Sequence, residues 1–324
     1  MSSILTNNSA MSALSTLRNI NSSLNSTQDR ISTGLKVSSG KDNAAYFAIS
    51  ETMKGDSGMT KAVNESLTLT KNSVATARLG AEQFSDLATE FRDKVAFAQE
   101  NKGGLDEIES DLKRLVADMG AIMSQSTFNG DDLVNAGKKA ADGTTAAVSG
   151  TMDVVGTITP EATNPSSKAA DREIITGISR DSAGALQTTK ITVSPVDLNA
   201  QLETFNLIAT DFAARAGSTA DTDTSGAADG DEYLAAVLAH ADTATKATVD
   251  AATSLGQSEK SIERQQEFLT KLSDNLDAGV GAMVDANMEE EAARLQALQV
   301  QQQLASQSLS IANQAPQNIL SLFR

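Results

Sequence analysis

Apolar residues return at helical spacing in four stretches of the chain, and each stretch predicts a helix with one buried stripe. The first runs from about Ser9 to Leu35. Met11, Leu14, Leu17, Leu24, Ile31 and Leu35 fall near one line there, with Ser, Asn, Thr and Gln around the rest. Gly34, Ser38, Ser39 and Gly40 predict a break. The second runs from Ala44 to Gln99, softened at Gly55 to Gly58. Its face is Val63, Leu67, Val74, Ala81, Phe84, Leu87, Phe91, Val95 and Ala98, and Asn101 to Gly104 predict a C-cap and turn. The third, from Leu105 to about Ser126, steps by three and four through Leu105, Ile108, Leu112, Leu115, Met119 and Ile122, a heptad seam. The fourth extends from about Asp231 to Asn313. It carries Leu255, Ile262, Leu269, Leu272, Leu276 and Met283, then Met288, Ala292, Leu295, Leu298, Ala305, Leu309 and Ala312. All of these are read as packing positions.

Between Asn129 and Gly230 the pattern changes to Gly, Thr, Ser, Asp and Ala, with Pro160, Pro165 and Pro195. Arg172 to Arg180 and Thr188 to Ser194 predict two short strands around Ser182 to Gly184, most simply a hairpin. Gln201 to Ala214 predicts a short helix, and Gly217 to Gly230 an exposed, mobile loop. The expected fold is therefore mainly α. Long antiparallel helices from the two ends form a bundle or coiled coil, and a small insertion containing a β-hairpin projects from it.

Composition narrows the chemistry. Aromatics are 3% with no Trp, so aliphatic and small side chains must fill the core, which suits thin helical bundles. A net charge of −16 and the lack of a basic run argue against nucleic acid and anionic membrane as partners. The absence of cysteine excludes disulfides, thiol catalysis and Cys-based metal sites. No apolar run approaches the ~20 residues of a membrane span. The N-terminus lacks a basic region followed by an apolar stretch, so no cleavable signal peptide is expected. A cytoplasmic protein is the plain reading, with export by another route left open.

No catalytic, cofactor-binding or metal-ligating set emerges. The single histidine, His240, reads as a surface residue on a helix, with no nucleophile arranged beside it. Asp221 to Glu232 fits calcium-loop spacing, with Asp221, Asp223, Ser225, Gly226, Asp229 and Glu232 at positions one, three, five, six, nine and twelve. A solvated acidic loop is the leading reading and calcium the alternative. Glu289 to Glu291 are read as a solvated helix face that also favours a helix N-terminus.

The two ends carry a family resemblance. Asn19 to Ser50 contains Arg30-Ile-Ser-Thr-Gly34 and Asp42-Asn-Ala-Ala-Tyr-Phe-Ala-Ile-Ser50. This resembles the N-terminal signature of bacterial flagellins, with Asn43, Tyr46 and Phe47 departing from the usual Asp, Gly and Leu. Ile311 to Arg324 resembles the flagellin tail, and Phe128-Asn-Gly130 the family's exit from its third helix. The matches span about two-thirds of the chain, on both sides of the middle region.

The resemblance implies a non-enzymatic subunit that polymerises into the flagellar filament for swimming motility. It implies export unfolded and without a cleaved signal through the flagellar type III export apparatus, with an export chaperone, and folding under a filament cap. It implies junction proteins as further partners, and an extracellular location. It implies an inner coiled-coil domain from residues 1–40 and 284–324, a helical-bundle domain from 41–135 and 231–283, and a variable outer insertion at 136–230. The polymerisation core would be Leu14, Leu17, Leu24, Ile31, Leu295, Leu298, Leu309, Ile311 and Leu320. The bundle core would be Leu105, Ile108, Leu112, Leu115, Met119, Ile122, Leu255, Ile262, Leu269, Leu272 and Leu276. Phe84 to Gln99 resembles the segment that animal Toll-like flagellin receptors recognise, but Asp93 stands where recognised flagellins carry arginine, which argues against recognition. Thin stripes at the ends bury too little to offset ordering entropy alone, so the ends are expected to order on assembly. Two rivals remain: a hook–filament junction protein of the same architecture, and a cytoplasmic coiled-coil binding module or chaperone.

Overall fold

The computed structural model describes residues 7–135, 151–153, 156–159, 171–180, 185–218 and 229–322. The calcium-spaced residues 221–228, most of the loop after Gly217 and the 182–184 turn lie outside that set. The chain forms two compact units, one from residues 1–59 and 272–324 and the other from 60–271.

In the first unit, α1 (Asn8–Thr33) starts on Asn7, whose side chain accepts the Ala10 N–H, and stops at Gly34. Gly34 takes φ 74, the left-handed conformation that favours glycine. Helix α7 (Met288–Leu322) is capped by Asn287, whose Oδ1 accepts the Glu289 N–H at 3.2 Å, and Glu289 to Glu291 occupy its first turn. The fourth apolar stretch is thus two helices, α6 (Gly230–Val284) and α7, separated at residues 285–287. Around this break, Lys36 N and Val37 N donate to Val284 O, and Ala286 N donates to Gly34 O. A small apolar cluster of Val37, Val280 and Val284 sits there with Leu35, Phe47, Met53 and Met283. The softening expected at Gly55 to Gly58 does not occur: α2 (Ala44–Glu100) is continuous. Buried Ser57 donates to Asp277 at 2.7 Å and lies 3.1 Å from the Ser273 hydroxyl, which satisfies polar groups that would otherwise loosen the turn.

The second unit holds the large core. Phe84 and Phe91 of α2 meet Phe205 at ring separations of 6.3 and 4.9 Å. Phe205 belongs to α4 (Asn199–Ala209), which with α5 (Phe212–Ala216) packs on α3 (Leu105–Gln125). The single helix expected from Gln201 to Ala214 is broken where Asp211 takes φ 56. Phe84, Phe91, Phe205 and Phe212 are all fully buried, the last with its ring 6.1 Å from Tyr233. Gly80 admits the end of α3: a Cβ there would stand 1.8 Å from the Ser126 hydroxyl.

Two small antiparallel ribbons complete this unit. A two-residue pair, β1 (Thr151–Met152) and β2 (Ile158–Thr159), has no counterpart in the sequence reading. The expected hairpin is β3 (Arg172–Arg180) with β4 (Leu186–Val193). A bulge between Ile175 and Gly177 lets Ile174, Thr176 and Gly177 all face inward. Gln265 of α6 donates to Thr176 O at 2.8 Å and ties the hairpin to the helix.

Candidate assembly surface

The α1–α7 pair is a thin seam. Helix α1 packs along α7, and Leu17, Leu24 and Ile31 of the one and Leu295, Leu298 and Leu309 of the other are all only half-buried. The one buried residue of α1 is Thr27. Polar contacts set the register: Asn7 Nδ2 donates to Ala312 O at 2.8 Å, and Gln302 Nε2 to Asn21 Oδ1 at 2.7 Å. Arg30 donates to buried Glu291 at 3.3 Å. Six half-buried side chains, each contributing about half of the ~2 kcal/mol of a fully buried one, amount to about three buried side chains, too little to offset the ordering of helices of 26 and 35 residues.

The expected polymerisation residues therefore divide. Those six lie on the seam within the chain. Leu14 and Ile311 do not: both are exposed, Ile311 at 63%. The Leu320 side chain is outside the described set. Beside Ile311 stand residues the sequence reading passed over. Val300 is 55% exposed and Leu304 58%, and with exposed Ala297 they form a second three-and-four spaced stripe on α7. Met11 is 64% exposed on α1. The signal was present at the same spacing, displaced two positions from the first stripe, but the glutamines around it hid it. From Leu295 to Phe323 the sequence carries no charge, so nothing on this surface repels an identical partner.

In the second unit, Leu105, Ile108, Leu112, Leu115, Met119, Leu255, Ile262 and Leu269 are buried as packing residues. Ile122 is half-buried and Met123 takes the inner place. A straight helix of 3.6 residues per turn drifts off a strict heptad, so after four steps the next residue points inward. Leu272 and Leu276 are half-buried and fall in the first unit.

Among the described residues, no constellation for catalysis accompanies these surfaces. His240 is half-buried and its Nε2 accepts the Ile158 N–H at 3.4 Å, a structural role for β2. A cleft of about 560 Å³ is lined by Ser73, Asp131, Asp132 and Arg172 among others. Two of its three carboxylates are occupied: Asp131 accepts from Ser73 and Arg172, and Asp132 accepts the N–H groups of Val134 and Asn135. Among the described residues no group of three or more His, Asp or Glu is placed to hold a metal ion, and no helix is long and apolar enough to cross a membrane.

Comparison with known proteins bears on the same two ends. Residues 4–139 match the bacterial flagellin N-terminal helical region, and residues 238–323 the bacterial flagellin C-terminal helical region. A flagellin of Brucella melitensis biotype 1 is 35% identical over 328 residues, covering 100% of both chains. Flagellin C of Rhizobium meliloti (strain 1021) is 35% identical over 329 residues, and flagellin A of the same strain 33% identical over 396, again covering 100% of both chains.

Proposed function

Because this chain belongs to the bacterial flagellin family, we infer that it is a structural, non-enzymatic subunit of the flagellar filament and that its uncovered α7 stripe is where copies join. The observation that carries the reading is the row Val300, Leu304 and Ile311, apolar and exposed on a helix whose other stripe is already engaged. A neighbouring copy that covers this row removes apolar area from water and supplies what the thin α1–α7 seam lacks. The ends thereby gain order on assembly.

The inner coiled-coil domain is read as residues 1–40 with 284–324, the bundle domain as 41–135 with 231–283, and the outer insertion as 136–230. Beyond copies of itself, the partners in this reading are the export apparatus, an export chaperone, the filament cap and junction proteins. The subunit leaves the cell without a cleaved signal. Lack of cysteine suits passage of an unfolded chain. A hook–filament junction role is the second reading, and full-length similarity to proteins named flagellin favours the filament subunit over it. Asp93 argues against recognition by animal Toll-like flagellin receptors.

Electron microscopy of the purified chain after seeding, with limited proteolysis before and after, tests this. The expected result is filaments whose ends become protease-resistant on assembly. A stable monomer with resistant ends would point instead to a soluble helical binding module.

A further inference from the structure

We propose that Glu90 on α2 of one copy pairs with Arg264 on α6 of a second, at the centre of a contact between an acidic row and a basic row. The proposal rests on the filament reading and names a contact outside the α7 stripe.

The chain has 42 acidic and 26 basic residues, so cations are in demand. In the 60–271 unit most described cations are engaged: Arg78 with Glu259 at 2.7 Å, Lys94 with Asp111 at 2.7 Å, Lys102 with Asp231 at 2.6 Å. Lys260 and Arg264 are exposed and form no ion pair among the described residues. They stand one turn apart, and Phe268, 56% exposed, follows one turn further. The acids flanking them are engaged, Glu263 chiefly by Lys71 at 2.8 Å with a weaker long-range attraction from Lys260, and Glu267 by Lys271 at 2.7 Å. A net positive row ending in a phenylalanine therefore lies on an acidic protein.

Its complement is on α2. Asp86, Glu90, Asp93 and Phe97 share one exposed face at i, i+4, i+7 and i+11 and line a shallow cleft of about 550 Å³. Lys94 also lines the cleft but is engaged by Asp111 at 2.7 Å, and Arg92 is divided between Asp93 at 2.9 Å and Asp242 at 3.6 Å. Asp86 and Glu90 form no ion pair among the described residues.

The two rows cannot meet within one chain. Helices α2 and α6 run antiparallel, with Thr68 bonded to Gln266 and Lys71 to Glu263. These contacts put Arg264 level with about residue 70 of α2, roughly 20 residues and ~30 Å from Glu90. A second copy in the same orientation, shifted by that length, brings Arg264 beside Glu90, Lys260 beside Asp93 and Phe268 beside Asp86. Unlike rows that meet make a heterologous contact, which repeats without closing.

The test is a charge swap in the full chain. Glu90→Lys and Arg264→Glu each place like charges together, and each is expected to raise the critical concentration for seeded polymerisation about tenfold. The double variant is expected to return to within about twofold of wild type, because the pair is restored in reverse. Since the chain has no cysteine, filaments mixed from Glu90→Cys and Arg264→Cys populations should give cross-linked dimers with a short bismaleimide, while unassembled mixtures should not. Where a reversal variant melts below wild type as a monomer, the cross-link decides alone. Single variants that assemble like wild type, a double variant as weak as the singles, or mixed filaments without cross-link overturn the contact but leave the filament reading standing. A wild-type chain that forms no filaments overturns both.

Discussion

Arg30 and Glu291, 261 residues apart in sequence, meet at 3.3 Å where α1 leaves α7, and the carboxylate they share is nearly sealed from water. Glu291 Oε2 has no hydrogen-bond partner among the described residues, and Arg294, 3.8 Å from Oε1, is the second cation of this carboxylate. Replacing Arg30 with Ala leaves a buried charge short of its closest partner. The expected loss is about 2 kcal/mol, below the usual figure for a buried pair because Arg30 is itself about a third exposed and Arg294 remains. Faster protease cleavage within α1 and α7, with unchanged protection of 60–271, is the readout. Equal cleavage of both regions would contradict it.

Leu304→Asp puts a charge on the uncovered stripe and takes nothing from the core. Assembly should stop while the monomer melts as wild type does. Light scattering on seeded samples, beside circular dichroism of the monomer, checks both halves.

Phe205→Ala acts on the opposite side of that distinction. It removes the ring that Phe84 and Phe91 both contact, and should lower monomer stability by about 3–5 kcal/mol. Chemical denaturation of the monomer measures it, and any filament defect should follow from unfolding alone.

Tyr233 is fully buried, its hydroxyl has no hydrogen-bond partner among the described residues, and burial pushes its pKa up to about 12. Tyr233→Phe removes the stranded hydroxyl and keeps the ring against Phe212. Stability should rise by about 1 kcal/mol. A variant that melts lower would mean that the hydroxyl has a partner in solution.

The Asp42 carboxylate accepts from both the N–H and the hydroxyl of Ser38 and of Ser39, at 3.0 to 3.1 Å. These bonds, the Ser38 hydroxyl first, hold its pKa below the usual carboxylate value. Their support is therefore complete above the ordinary carboxylate pKa and is lost as pH falls through the lowered one. Asp42→Asn should show at neutral pH the amide exchange at Ser38 and Ser39 that wild type shows only in acid. Identical exchange in the two proteins at neutral pH would refute this role.

Helices were legible in the sequence because one buried stripe imposes a 3.6-residue period, and α2 and α3 lie within a residue of their expected ends. The 285–287 break was only half legible: Glu289 to Glu291 favoured a helix N-terminus there, but neither Gly nor Pro marks the interruption. It is made by distant backbone partners, Gly34 among them. Met123 replaced Ile122 because helix geometry drifts slowly against a heptad. The engaged half of the α7 surface was readable from Leu295, Leu298 and Leu309. The free half, Val300 and Leu304, was obscured by glutamines. Glu90 and Arg264 carry no local signal at all: that each lacks an ion-pair partner among the described residues is known only once every neighbouring charge has been paired.

The three backbone bonds between residues 34–37 and 284–286 depend on no side chain beyond the turn that Gly34 permits. Loosening that begins at either free tip must run inward along α1 and α7, where each turn is weakly held. At this crossing it meets bonds that must break together, backed by Val37, Val280 and Val284. The clip is thus a crack-stop: the tips can open and close repeatedly while the rest of the chain keeps its register.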